Sequence, residues 1–339
     1  KSAAKPALAR RSPGKLKLSM MTGQYEIVRA LLDGTVQPKG IELVQASYPG
    51  SRDIHTRVAV GDGADINEFN GGQFCIVKDM GRDIIGIPVF LHRRFRHGFA
   101  FVNTKAGIKS PKDLIGKRVG GTTFTPAGCI WLRGILEEHY GVPNRDIIWV
   151  TERDEDVAFD PPAGLRIERV AKGKILDQML AEGELPAMIT PDIPPVFLKG
   201  DPRVARLFPD YQAEERNYFK KTGIFPIMHV TAIKKEIVDQ YPWVPMNLMK
   251  AFEQAKAMGY KRTANPRTLP LAWGRTLWED ERALLGPDPW AYGLGEQNRS
   301  TLQTILRYLQ QQGLIKKIPK LEDMFENTDL GNMGSDGGL

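Results

Sequence analysis

The sequence predicts an α/β protein built as two lobes. Apolar runs of strand length alternate with runs of helical periodicity from residue 15 onward. The alternation restarts as a second unit near residue 104. The chain of 339 residues is also longer than one hydrophobic core usually serves.

The elements follow in order. KLKLSMM (15–21) reads as a buried strand. YEIVRALLDG places Ile27, Val28, Leu31 and Leu32 at helical spacing and stops at Gly34. IELVQAS (41–47) is a strand after the turn PKG, and RDIHTRVAVGDG (52–63) is a short amphipathic helix ending at glycine. ADINEFN (64–70), IIGIPVF (84–90) and GFAFVN (98–103) are short strands. In the second unit SPKDLIG (110–116) forms a helical turn, with Ser110 as N-cap ahead of Pro111. KRVGGTT (117–123) is a strand and AGCIWLRGILEEHYG (127–141) a helix. IIWV (147–150), RIERV (166–170) and AMIT (187–190) are strands, with the helix ILDQMLAEG (175–183) between the last two. FPIMHVTAIKKE (225–236) is a strand leading into a helix, and PWVPMNLMKAFEQAKAMGYKR (242–262) is a long helix opened by proline. In STLQTILRYLQQQGLI (300–315), Leu302, Ile305, Leu306 and Leu309 share one face. Residues 331–339 read as a flexible glycine-rich tail.

Charge is unevenly placed. Six of the 47 bases and none of the 40 acids lie in residues 1–17. The net charge of +7 is therefore +6 in that segment and +1 over the rest. A nucleic-acid binder should carry a basic stripe on its body, and this body is nearly neutral, so nucleic acid is not an expected partner. Residues 1–14 read as a basic disordered arm or the remnant of a cleaved leader. No run approaches the ~20 apolar residues that cross a bilayer, so no membrane span is expected. The two cysteines, Cys75 and Cys129, rule out metal sites built on cysteine spacing and read as small core residues in a reducing compartment.

HRRFRHGFAFVN (92–103) crowds three arginines and two histidines before a strand. In a two-lobe α/β protein the cleft lies at the carboxyl ends of the strands, where such a loop can face it. Arginine forks hold carboxylates through paired charge-assisted bonds. Arg93 reads as solvated. TTFTPAG (122–128) offers the hydroxyls of Thr122, Thr123 and Thr125 with the free N–H groups of a helix start, which suits an anion. Arg133, about two turns into that helix, either reaches the anion or pairs with Glu137. His55 and His139 read as surface residues, and His92 stays open. GKRVGG lacks the spacing of a dinucleotide site, and HExxH, Walker and GxSxG motifs are absent from the sequence.

NTKAGIKSPKDLIGKRVGG followed by a helix resembles the crossover of type II periplasmic-binding-protein folds. That resemblance implies mixed sheets flanked by helices, two crossover strands, lobe one from 15–103 and 224–330, and lobe two from 104–223. IPVFLHRRFRHGFAFVNTKAGI, IWLRGILEEHYGV, LFPDY (207–211), KKTGIFPIMH (220–229), PWVPMNLMKAFEQAK and WAYGL (290–294) resemble the 4,5-dihydroxyphthalate decarboxylase family. The match runs over nearly the whole chain from Lys15.

The resemblance implies a carboxy-lyase acting on a hydroxylated aromatic dicarboxylate, with room for a homo-oligomer; the lack of an apolar leader run and the two unpaired cysteines make a cytoplasmic setting the expectation. Its crossover strands bring His97 and His229 toward one cleft floor, with Glu68 ending a lobe-one strand and Asn70 beside it. The expected roles are His97 or His229 as proton donor and Glu68 as partner of the phenol. Arg94, Arg96, Arg133, Asn70 and the 122–125 threonines would hold the carboxylates. Histidine suits the donor because its pKa lies near working pH. Ring protonation with loss of carbon dioxide requires no cofactor. A divalent metal on His97, His229 and Glu68 remains a variant. The competing class is a periplasmic solute-binding protein for an organic anion, because one fold serves both.

Overall fold

The computed structural model describes residues 14–46 and 51–328, with the side chains of 51–53 left aside. The basic arm before residue 14 and the 331–339 tail lie outside the described residues. The first lobe opens β1 (Leu16–Met21), α1 (Arg29–Leu32), β2 (Ile41–Gln45), α2 (Ser51–Val60), β3 (Ile66–Asn70), α3 (Gly71–Asp79) and β4 (Ile84–Arg93). A 3₁₀ turn at His97–Phe99 leads to β5 (Ala100–Asn103), β6 (Arg118–Gly121), α4 (Ala127–Tyr140), β7 (Ile148–Thr151), β8 (Arg166–Arg169), α5 (Leu176–Glu182), β9 (Ala187–Ile189), α6 (Pro195–Leu198) and β10 (Val204–Arg206). The return runs through α7 (Tyr211–Thr222) to β11 (Ile227–Lys234), α8 (Lys235–Gln240), α9 (Val244–Ala264), α10 (Gly274–Leu285), α11 (Glu296–Gln311) and α12 (Leu321–Met324).

Two mixed sheets result. One has the order β2-β1-β3-β11-β4 and the other β10-β5-β9-β6-β7-β8. β1 runs parallel to β2 and β3, while β11 lies antiparallel between β3 and β4. The first seven residues of β11 are buried, as befits an internal strand covered on both faces. The chain thus leaves the first sheet after β4 and re-enters it as β11, the expected two-lobe plan of an α/β fold. The boundary needs one correction: β5 pairs with β9 and β10, so residues 100–103 belong to the second sheet and the outward crossing is 94–99.

α4 joins the lobes. Its residues 127–136 are all buried, and a helix apolar on every side sits inside a core. Trp131 Nε1 donates to the Ile227 carbonyl at 2.9 Å, and Gly134 lies so close to α11 that an added Cβ would meet Tyr308 at 2.2 Å. One core cluster accordingly contains residues of α3, α4, β11 and α11 together.

Five helices escape the sequence reading, the single turns α6 and α12 and the longer α3, α7 and α10. α3 starts with two glycines, poor helix formers. They are required because a Cβ on Gly72 would meet Ile130 Cδ1 at 2.5 Å and the Thr125 carbonyl at 2.9 Å. Asn70 caps that helix by accepting from Gly72 N and Gln73 N. α7 carries both end signals, an Asp210 cap accepting from Ala213 N and Gly223 at φ 68°. α10 has no buried residue, so no apolar stripe marks it as core-facing. Among the described residues no helix is long and apolar enough to cross a membrane.

Candidate active site

Sheet register builds the site. His229 on β11 stands opposite Asn70 on β3 and opposite His92 on β4. Residues directly opposite share a face, so His92, His229 and Asn70 form one row. Glu68, two residues before Asn70, projects to the same side. Between the pairs His229–His92 and Thr231–Ile87, β4 advances by more residues than β11, an irregularity spanning Pro88. His55 comes from α2, its ring 4.4 Å from that of His229, while the His92 ring lies 4.6 Å away on T-shaped terms.

Glu68 is 2% exposed and saturated with donors. It accepts from Gly23 N at 2.6 Å, Tyr25 OH at 2.6 Å and Thr22 Oγ1 at 3.3 Å, and its Oε1 lies 2.5 Å from His229 Nδ1. These contacts fix the His229 ring and reserve its Nε2 for other business. Burial, then the positive charges of Arg96 and Arg94, push the His229 pKa down to about 3. The imidazole is therefore neutral at neutral pH and donates Nδ1–H to the carboxylate. Burial is the main cause that lowers His55 to about 4 and His92 to about 2.

The anion side faces this row across a cavity of about 340 Å³, lined by His55, His92 and His229 together with Arg94, Arg96, Thr122 and Thr123. Arg96 is 2% exposed, yet among the described residues no carboxylate bonds to it. Its Nε and Nη2 point at Met228 Sδ, at 3.0 and 2.7 Å, and Nη1 donates to the Pro191 carbonyl at 2.9 Å. A thioether is a weak acceptor, so this buried cation is under-compensated and suited to an incoming anion. Burial lowers the Arg96 pKa to about 10, which leaves it charged at neutral pH. Gly128 makes room for it, since a Cβ there would lie 2.6 Å from Arg96 Cζ. Arg94 is exposed in the cavity wall, and the Thr123 hydroxyl is buried without a hydrogen-bond partner. At the mouth, Arg153 of one lobe pairs with Asp156 at 2.6 Å, and Asp156 accepts from Gln73 and Thr56 of the other at 3.4 Å.

The structure brings together Glu68, His229, Asn70, Arg94, Arg96, Thr122 and Thr123, and it separates the rest. His97 is fully buried against Tyr140, Phe208 and Tyr218 and does not line the cavity, because the 3₁₀ turn directs it into the second lobe. Neither reading of Arg133 holds. Its guanidinium donates to Gln312 Oε1 at 2.8 Å and the Phe124 carbonyl at 2.7 Å and lies over the Phe124 ring. Thr125 is fully buried, and Glu155 takes its N–H, its hydroxyl and the Phe124 N–H, so the helix-start anion position is already filled by the protein's own carboxylate. Asn70 Oδ1 is likewise spent on Gly72, Gln73 and Ala127 N–H groups. Arg93 is buried rather than solvated, donating to the Phe225 and Ala291 carbonyls and to Asn298 Oδ1. His139 is half-buried beside Tyr218.

The principal residue the sequence did not offer is His55. Its signal was Ala59, four residues on and 1% exposed, which marks that stripe of α2 as inward-facing. His55 also replaces His97 in the candidate metal set, since one donor atom each from His55, Glu68 and His229 lie within 4.8 Å of one another.

A family model described as NMT1/THI5 like matches residues 37–158. The chain is 33% identical over 327 residues to a 4,5-dihydroxyphthalate decarboxylase of Comamonas testosteroni, covering 93% of this chain and 98% of that one. It is 32% identical over 213 residues to one from Pseudomonas putida, covering 61% of this chain and 82% of that protein. The fold is similar to that of the periplasmic aliphatic sulphonate binding protein SsuA from Escherichia coli (TM-score 0.54, 13% identity, 93% of this chain and 98% of that one). It is also similar to that of the desulfurization enzyme DSZB (TM-score 0.51, 16% identity, 92% of this chain and 96% of that one). One architecture therefore hosts a binding protein and an enzyme, as fold alone permits.

Proposed function

The chain belongs to the 4,5-dihydroxyphthalate decarboxylase family, and from that premise we propose that its cleft removes one carboxyl group of 4,5-dihydroxyphthalate or a close hydroxylated aromatic dicarboxylate. The observation that carries this reading is the Glu68–His229 pair facing two arginines that lack carboxylate partners.

The substrate carboxylates meet Arg96 and Arg94. The Thr123 hydroxyl and Thr122 stand beside them. Water leaves the cavity, which strengthens these contacts. His229 Nε2 lies on the opposite wall, held by Glu68 through Nδ1. A dianion between the arginines offsets the charges that depress the His229 pKa, so the imidazole takes up a proton as substrate binds. The imidazolium then protonates the ring carbon that bears the carboxylate. Electrons come from the hydroxyl para to that carbon, whose proton passes to His55, 4.4 Å ring to ring from His229. The C–C bond breaks, its electron pair restores the aromatic ring, and carbon dioxide leaves. The phenol regains its proton from His55, and the sum is one proton consumed per carbon dioxide released. Glu68 is a positioning residue in this scheme rather than the phenol's partner, because four donors already occupy its oxygens. A general acid of this kind contributes ~10²–10⁴-fold, and the arginine clamp supplies positioning on top of it.

The test is incubation of purified protein with 4,5-dihydroxyphthalate while carbon dioxide and 3,4-dihydroxybenzoate are followed. Equal appearance of both supports the reading. Saturable binding without either product favours the solute-binding alternative, for which the under-compensated Arg96 is equally suited and the Glu68–His229 pair has no use.

A further inference from the structure

We infer that His55 and His229 form a binding site for a divalent transition-metal ion, and that occupation of this site stops turnover. The ion sits on His229 Nε2 and a ring nitrogen of His55. One ring nitrogen each of His55 and His229 and one Glu68 oxygen lie within 4.8 Å of one another, close enough to bring both rings to one ion after small ring movements. Glu68 stays behind His229 as the carboxylate that orients a metal-bound imidazole, the usual outer-shell arrangement, because its oxygens already serve Gly23, Thr22, Tyr25 and His229. His55 Nδ1 and His92 Nδ1 are buried without a hydrogen-bond partner, an imbalance that an ion with its water ligands relieves.

The donor chemistry selects the ion. Neutral imidazoles suit Zn²⁺, Co²⁺, Ni²⁺ and Cu²⁺, whereas Mg²⁺ and Ca²⁺ favour oxygen. Two protein nitrogens leave coordination positions open for water or for the adjacent hydroxyls of a catechol-like ligand.

The functional consequence rests on the decarboxylase reading. With an ion on Nε2, His229 has no position for the proton it would give the ring carbon. Metal occupancy and proton delivery then exclude each other, and no redox change is involved. Occupancy itself does not depend on that reading, so the two can fail separately.

The experiment is titration of chelator-stripped protein with Co²⁺, followed by visible d–d absorption, and with Zn²⁺, followed by calorimetry, with turnover measured at each occupancy. The expected result is one ion per chain, affinity reduced at least ~10-fold in His55→Ala and in His55→Gln, and turnover that falls with occupancy and returns with chelator. Thermal melting of both variants checks that they are folded. No stoichiometric binding, or binding unchanged in folded His55 variants, overturns the site. An ion that binds while turnover holds or rises overturns the inhibitory step and also contradicts His229 as the proton donor.

Discussion

Glu68 and His229 sit diagonally on neighbouring antiparallel strands, Thr231 standing opposite Glu68 and His229 opposite Asn70, and this register brings Oε1 within 2.5 Å of Nδ1. A slip of β11 by one residue would turn His229 to the face of the sheet opposite Glu68. The pair is thus a property of how the chain returns from its second lobe, and it forms only when both crossings are complete.

Replacing Glu68 should affect the reaction rate more than substrate binding. In Glu68→Gln we expect kcat to fall ~10²-fold or more while KM changes less than about threefold, because His229 loses its fixed tautomer and orientation. Steady-state kinetics across pH checks this. The alkaline limb of kcat should shift toward lower pH, because the imidazolium loses its carboxylate partner and gives up its proton sooner. A purely structural role would leave the profile in place. Glu68→Asp serves as the milder companion.

The two arginines should separate by burial. Arg94→Gln at the exposed wall should raise KM by about 10-fold, the loss of a charged hydrogen bond of ~1.5 kcal/mol. Arg96→Gln should raise it by about 100-fold or more, since its guanidinium acts from a dry site. Binding of phthalate, which lacks the hydroxyls, measured by calorimetry, gives the same order without chemistry.

Substrate binding should take up protons. The free His229 pKa is about 3, so any increase caused by a bound dianion loads the imidazole between that value and the bound one. Calorimetry of phthalate binding near pH 6 in buffers of different ionisation enthalpy should show net uptake that is lost in His229→Gln. Uptake unchanged in that variant would assign the proton elsewhere.

Acid should destabilise the fold before the carboxylates protonate. Burial lowers His97 to about 4 and His229 to about 3, against 6.5 for the free side chain. Between those values the unfolded chain binds protons that the native chain refuses, so stability rises with pH across the window and is lost as pH falls through it. Each such histidine contributes a slope of about 1.4 kcal/mol per pH unit. Urea unfolding from pH 7 to pH 4.5 should show the decline. His97→Phe, inside its ring of Tyr140, Phe208 and Tyr218, should flatten the slope by one histidine and leave turnover unchanged.

The sequence was most legible where a local pattern decided structure. Alternating apolar runs mark the strands, and the family resemblance implies Glu68 and His229 at the cleft floor. It was least legible where a side chain's meaning depends on the opposite lobe. Arg133 looks like an anion ligand until Gln312 and Phe124 are seen to claim it, although ten consecutive buried positions in α4 were the clue that it lay inside a core. Arg93 and Arg94 are adjacent and chemically equal, and only strand alternation turns one toward Asn298 and the other toward the cavity. His97 was misjudged because one 3₁₀ turn reverses the direction a continuous strand would have given it.

The most direct measurement is single-turnover release of carbon dioxide from 4,5-dihydroxyphthalate by the wild-type chain and by His229→Gln, with ligand affinity measured on the same samples. The account predicts release by the wild type, a fall of ~10²–10⁴-fold in the variant and affinity within a few-fold of wild type. Release at the wild-type rate from folded His229→Gln would contradict it.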